Sequence, residues 1–159
     1  MKKGFSLVEL MVTITIVGIM VSFGVSAYAR GRDRQEGRAA GEQIIGFLTE
    51  NQKKANIGDE DCSGSIKGTY TGQSITFSGT TITATSSCSI ASGTPESITI
   101  AGISSMTGSP IKFKPLSQGT LLNNLPSTSS IDIDYMTTSG TSIRVQVTST
   151  GTIEYKGAQ

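Results

Sequence analysis

The sequence predicts an α+β protein: one long N-terminal helix packed on an antiparallel β-sheet domain. Three observations carry that expectation. An apolar run extends from Phe5 to Ala29 with a single charge in it, Glu9. A polar segment of helical period follows it without a proline to about Asn56. From Ser65 onward the apolar residues recur at every second position, as in strands with one buried face.

The apolar run is the first element. About 25 helical residues at ~1.5 Å each reach about 37 Å, enough to cross a ~30 Å hydrocarbon core with some tilt. The run is rich in β-branched residues (Val8, Val12, Thr13, Ile14, Thr15, Ile16, Val17), which are mediocre helix formers in water. Lipid changes that balance, because a helix satisfies its own backbone polar groups. A membrane-inserted helix over 5–29 is therefore expected.

Glu9 is the anomaly in it. A carboxylate in hydrocarbon costs several kcal/mol unless it is paired, neutralised or near the headgroups. Four residues into the run, Glu9 can reach interfacial water. Alternatively it meets a cation at its own depth. A cut between Gly4 and Phe5 would create one, since the new α-amino group titrates near ~8. The same cut removes Lys2 and Lys3 and leaves Glu9 as the only side-chain charge up to Ala29.

Lys2-Lys3-Gly4-Phe5-Ser6-Leu7-Val8-Glu9-Leu10 resembles the class III prepilin leader of type IV pilins and type II secretion pseudopilins. The resemblance implies cleavage after Gly4 by a prepilin peptidase, N-methylation of Phe5, and pairing of Glu9 with the N-terminus of a neighbouring subunit. It also implies a membrane assembly platform, the lipid bilayer, and other pilin or pseudopilin subunits in a homo- or hetero-polymer as partners. A competing reading comes from Ala27-Tyr28-Ala29, a small-x-small site after which a secretory signal peptide is cut. The protein would then be a secreted soluble β-protein. Against it, the apolar run exceeds the usual ~7–15 residue core of a signal peptide, carries a charge near its start, and leads into further helical pattern.

The 159 residues suit one membrane helix and one small domain, and the net charge of +1 argues against polyanion binding driven by bulk charge. Histidine is absent, which removes His-based acid/base chemistry and most zinc sites. The two cysteines, Cys62 and Cys88, form no C-x-x-C pair. Outside the cytoplasm they suit a disulfide, which for a loop of this length contributes roughly 3.5 kcal/mol; inside it they would be two reduced, unrelated thiols. Orientation is not set by charge alone. Lys2 and Lys3 precede the span, whereas Arg30, Arg32, Arg34 and Arg38 follow it, offset by Asp33 and Glu36. The leader resemblance and the expected disulfide place the C-terminal domain outside the cytoplasm, with the span in the inner (cytoplasmic) membrane.

Over 30–57, Ala40, Ile44, Phe47, Leu48 and Ala55 share one helical face, and Lys53, Lys54 and then Gly58 mark the end. Major pilins often carry a proline in the later part of the span; its absence here leans toward a pseudopilin or minor pilin. The arginine cluster reads first as a solvated juxtamembrane face, then as a surface for anionic headgroups. DNA comes last, as no aromatic residues interleave it for base stacking. Asp59-Glu60-Asp61 matches no Ca²⁺-loop spacing and reads as a solvated loop, so no metal site is expected.

The β-rich domain is expected over 58–159. Ile75 and Phe77, then Ile82 and Ala84, flank Ser78-Gly79 as a hairpin. Ile98 and Ile100 make a short strand, and Ile111 and Phe113 another, confined by Pro110 and Pro115 to be short or at an edge. Ser117 to Ser130 reads as a loop. Ile131, Ile133 and Tyr135, then Ile143, Val145 and Val147, then Ile153 and Tyr155 alternate as three strands, the last two joined at Thr150-Gly151. The one apolar face of such a sheet needs a cover, and the Ala40–Leu48 stripe supplies it. This order is that of the type IV pilin fold. Ile111-Lys112-Phe113-Lys114-Pro115 leading to Gly119, with the closing hairpin through Gly151, loosely resembles H-type pseudopilins and fimbrial minor pilins.

No catalytic constellation emerges. Without histidine a Ser or Cys nucleophile needs a Lys or amine base, and nothing brings Lys67, Lys112, Lys114 or Lys156 to a particular serine. Asp132 and Asp134 share a strand face that is expected to meet water. The expected function is structural: a prepilin-like subunit that polymerises through its N-terminal helix into a pilus or secretion pseudopilus. A minor tip pilin binding DNA or a surface is the alternative of another class. No enzyme activity and no cofactor are expected.

Overall fold

The computed structural model describes residues 7–58, 62, 68–115, 120–122, 125–126 and 130–158. One helix, α1, spans Leu7–Ile57, and ten strands follow it. The chain divides into two compact units, Met1–Gln35 and Glu36–Gln159, so α1 contributes to both.

In the first unit α1 is apolar and uncovered. From Leu7 to Tyr28 its large side chains are exposed, among them Phe23 and Tyr28 at 75%. Mean hydropathy reaches 2.2 over an 18-residue window, long and apolar enough to cross a membrane. Its hydroxyls bond back to the helix. Thr13 Oγ1 donates to Leu10 O at 2.8 Å, Thr15 Oγ1 to Val12 O at 2.8 Å, and Ser22 Oγ to Gly18 O at 3.0 Å. Such bonds leave these hydroxyls satisfied in a medium without water.

In the second unit the predicted stripe is the buried one. Ala40, Ile44, Leu48 and Ala55 are fully buried and Phe47 nearly so. The helix ends as its sequence suggests: Gly58 adopts φ +75°, and its amide donates to Lys54 O at 3.1 Å. Only glycine takes that left-handed turn at no steric cost. Lys54 in the last turn pairs with Glu50 at 3.1 Å and Glu96 at 2.7 Å. The Glu96 bond above all, opposed by partial burial and reinforced by Glu50, holds the Lys54 ammonium above its ordinary pKa.

The strands are β1 (Tyr70–Ser78), β2 (Thr81–Cys88), β3 (Glu96–Thr99), β4 (Ile103–Thr107), β5 (Ile111–Phe113), β6 (Thr120–Leu122), β7 (Leu125–Pro126), β8 (Ser130–Thr137), β9 (Ser142–Thr148) and β10 (Ile153–Ala158). They form two antiparallel sheets where a single one was expected. One has the order β3-β2-β1-β5-β6-β7, the other β10-β9-β8-β4. The chain first crosses between them in the turn after β3, where Ile100 N bonds Thr80 O at 2.9 Å and Thr138 N bonds Gly102 O at 3.2 Å, and it changes sheet again between β4 and β5 and between β7 and β8. An isolated bridge, Gly79 to Met106, links the sheets directly. The helix stripe and the inner faces of both sheets, including Ile75, Ile82, Phe113, Ile133, Tyr135, Val145 and Val147, make one core.

Other departures from expectation have local causes. β4 was not foreseen because a bulge between Ile103 and Ser105 breaks its period, so that Ile103 and Met106, three apart, are both buried. β5 is short, as Pro110 and Pro115 require, but it is interior, between β1 and β6. The expected loop from Ser117 to Ser130 contains β6 and β7, paired Leu122 to Leu125. Strands of three and two residues are too short to display a period.

Candidate functional site

The N-terminal unit concentrates the residues that the sequence singled out. Gly4 and Phe5, with Lys2 and Lys3, lie outside the described residues. Glu9 is exposed in the first described turn of α1, where a negative charge suits the helix dipole. It is the only charged side chain between Leu7 and Ala29. That interval covers about 34 Å of axis at ~1.5 Å per residue. Arg30, Arg32 and Arg34 follow at once, all exposed, with Asp33 half-buried. The helix runs without interruption through Ala27-Tyr28-Ala29.

In the second unit Arg38 Nε bonds Glu42 Oε1 at 3.1 Å, an i,i+4 pair on a solvated face. With Ile45 and Tyr155 these two line a cleft of about 340 Å³. Its charged groups are already engaged with each other. Cys62 and Cys88 are joined by a disulfide, which ties the chain just beyond α1 to the end of β2. Asp59-Glu60-Asp61 lie outside the described residues. Among the described residues no three His, Cys, Asp or Glu side chains gather where a metal could be held.

The other chemistry-bearing residues are held in structural roles. Asp132 and Asp134 do share a face of β8, and across from them Arg144 bridges both, at 3.0 Å to Asp132 and 2.7 Å to Asp134. Gln146 Nε2 adds a bond to Asp132 at 2.9 Å. The Asp134 bond, helped by both carboxylate charges, holds the Arg144 guanidinium above its ordinary pKa. A fixed cation between them makes these carboxylates a salt-bridged pair and not an acid and a base. Lys112 Nζ lies 3.1 Å from Thr71 Oγ1, but that hydroxyl gives its proton to Ser87 O at 2.9 Å. Lys112 therefore faces a lone pair as a donor and cannot act there as a base. Lys156 is paired with Glu154, and Lys67 lies outside the described residues.

Sequence reasoning missed two polar contacts that seat α1. Asn51 is fully buried within the apolar stripe, donating to Phe47 O at 2.9 Å and accepting from Gln73 Nε2 at 3.2 Å. Its spacing from Ile44 and Phe47, i+7 and i+4, was the available signal. Tyr135, 1% exposed, donates its hydroxyl to Gly37 O at 2.8 Å.

Residues 1–25 match the prokaryotic N-terminal methylation motif. No curated protein and no solved structure matches the chain. A prepilin-type motif implies processing by a prepilin peptidase and assembly with other pilin subunits. With the long apolar helix that continues from it, the motif supports a membrane-anchored, prepilin-like subunit. The α+β layout, one long helix followed by antiparallel sheets, is consistent with the type IV pilin fold.

Proposed function

We propose that this chain is a structural subunit, cut between Gly4 and Phe5, methylated on the new Phe5 amine, and assembled into a type IV pilus or type II secretion pseudopilus. Residues 1–4 are the leader, 5–29 the membrane and filament-core helix, 30–57 its amphipathic continuation and 58–159 the outer domain. Glu9 pairs with the Phe5 amine of a neighbouring subunit and sets the axial register as apolar helices pack together. The observation that carries this reading is the match over 1–25 running directly into a helix whose apolar side chains are uncovered in the single chain. Such a surface requires lipid first and other helices afterwards. The Cys62–Cys88 disulfide favours a domain outside the cytoplasm and so supports a span with its C-terminal end on that side. A cut after Ala29 would divide a continuous helix, which speaks against the secreted alternative.

Mass spectrometry of the mature chain tests the reading. The expected mass begins at Phe5, carries one added methyl on the amine, and is two hydrogen atoms light for the disulfide. A chain beginning at Arg30 overturns it.

A further inference from the structure

We propose that the outward face of β1, β2 and β3 is a binding surface for an uncharged polysaccharide. Cross-strand register lays hydroxyl side chains there as a grid. Thr99, Thr81 and Ser78 form one row, and Ser97, Thr83 and Thr76 the next, each residue opposite its neighbour in the adjacent strand. Ile75, Ile82 and Ala84 alternate with them along β1 and β2 and are buried, so the hydroxyls share the solvent side. Thr76, Ser78, Ser97 and Thr99 are exposed, and the two central threonines are half-buried among them. Thr81 Oγ1 and Thr99 Oγ1 approach to 3.4 Å. A third row, Thr85 and Ser74, ends opposite Lys112 of β5, where the first charge is met. The surface belongs to the second unit alone and is independent of how α1 is anchored.

Strand propensity explains threonine on such a face but not the lack of charge. About 25–35% of a soluble surface is charged, so these eight positions would carry about two or three charges, and they carry none. The other sheet shows the ordinary pattern, with Asp132, Asp134, Arg144 and Glu154 on the outward side of β8, β9 and β10. The contrast selects the ligand. A face without charge gives no hold to nucleic acid or anionic glycans, and a face without an apolar stripe gives none to a helix. Each hydroxyl donates one hydrogen bond and accepts two, as the hydroxyls of a sugar do, and costs less to desolvate than a charge. The threonine methyls meet the C–H faces of the same sugars. The grid measures about 10 Å across three strands and about 14 Å along them, so consecutive units of one chain engage together and weak contacts multiply. Two such grids pressed against each other would bury hydroxyls without the apolar centre of a protein interface, which disfavours a second copy of this chain.

The test uses the full chain in a sugar-free detergent and measures its depletion from solution by amorphous cellulose and by cross-linked dextran. A carboxymethylated matrix is the charged comparison. At least one neutral matrix should retain the chain, and high salt should leave that retention unchanged. T76K/T83E sets an opposed ion pair into the grid, which suits the sheet. T81V/T85V keeps shape and strand propensity and removes only hydroxyls. Each should keep a urea midpoint near that of the unaltered chain and bind on the order of tenfold more weakly, the effect of two ordinary hydrogen bonds. E154Q/K156Q, on the other sheet, should bind as the unaltered chain does. No retention on either neutral matrix, retention abolished by salt, or undiminished binding by a folded grid variant overturns the proposal. Self-association that T76K/T83E abolishes, without polysaccharide retention, assigns the face to a second copy and overturns it equally.

Discussion

Gly41 faces a site with no room for a side chain. A Cβ added there would lie 2.6 Å from the Tyr135 hydroxyl and 2.7 Å from the Tyr155 ring. Tyr135 is buried and cannot yield, although Tyr155 is partly exposed and can shift. Gly41→Ala gains about 1 kcal/mol of helix propensity but overpacks the core at ~1–3 kcal/mol, and overpacking should win. Urea denaturation should show a net loss of about 1 kcal/mol. Gly46 is the contrast: an added Cβ meets nothing within 4 Å, so Gly46→Ala should stabilise by about 0.5–1 kcal/mol. Tyr135 itself carries a pH signature. Burial first, and then the neighbouring Tyr155, push its phenol well above the ordinary value. Its contribution is intact below the unfolded phenol's pKa of ~10. As pH rises past that point the unfolded chain releases the proton while the folded chain keeps it, so stability falls. Urea midpoints from pH 8 to 11 should therefore drop less steeply for Tyr135→Phe than for the unaltered chain. The Asn51–Gln73 contact was invisible to a search for apolar periodicity, because an asparagine on the buried face reads as an interruption of the stripe that it belongs to.

At the level of elements, α1 was legible almost to its ends. It lacks proline, its buried face keeps a 3.6 period, and Gly58 can take the left-handed turn that closes it. β8 and β9 were legible because three apolar residues alternate along each, and β1 and β2 through the shorter pairs Ile75–Phe77 and Ile82–Ala84 on either side of Ser78-Gly79. The division into two sheets was not. It depends on which edges pair across the turn between β3 and β4, and two-fold alternation is the same in either arrangement. The disulfide makes a measurable demand on these elements. It fastens the segment beyond α1 to β2, and removing it releases that tether in the unfolded chain as well as in the folded one. The double variant Cys62→Ser/Cys88→Ser should lose about 2–4 kcal/mol in urea denaturation. Reductant should lower the stability of the unaltered chain by a similar amount and leave the variant unchanged.

For the whole molecule, the two units were readable for different reasons. The first announces its chemistry through residue identity, since a lone carboxylate in an apolar run has few uses. The second announces only its packing. Its charged groups, such as Arg144 between Asp132 and Asp134, are held by one another and leave little to interpret. On the function proposed above, the kind of filament is left to other chains. The decisive molecular prediction therefore falls on Glu9. Its carboxylate raises the cost of inserting α1, by up to ~2.5–3.5 kcal/mol at mid-membrane and less near the boundary. A residue kept only for membrane residence would be better replaced by alanine. Glu9→Ala should thus resist carbonate extraction at least as well as the unaltered chain, yet yield no filaments on shearing. Glu9→Gln separates shape from charge: it preserves the side chain's volume and hydrogen bonding but cannot pair as an anion with an amine. It should insert and fail to assemble in the same way. Filaments from Glu9→Gln at normal yield would reduce Glu9 to a hydrogen-bonding residue, and filaments from Glu9→Ala would remove it from the assembly mechanism altogether.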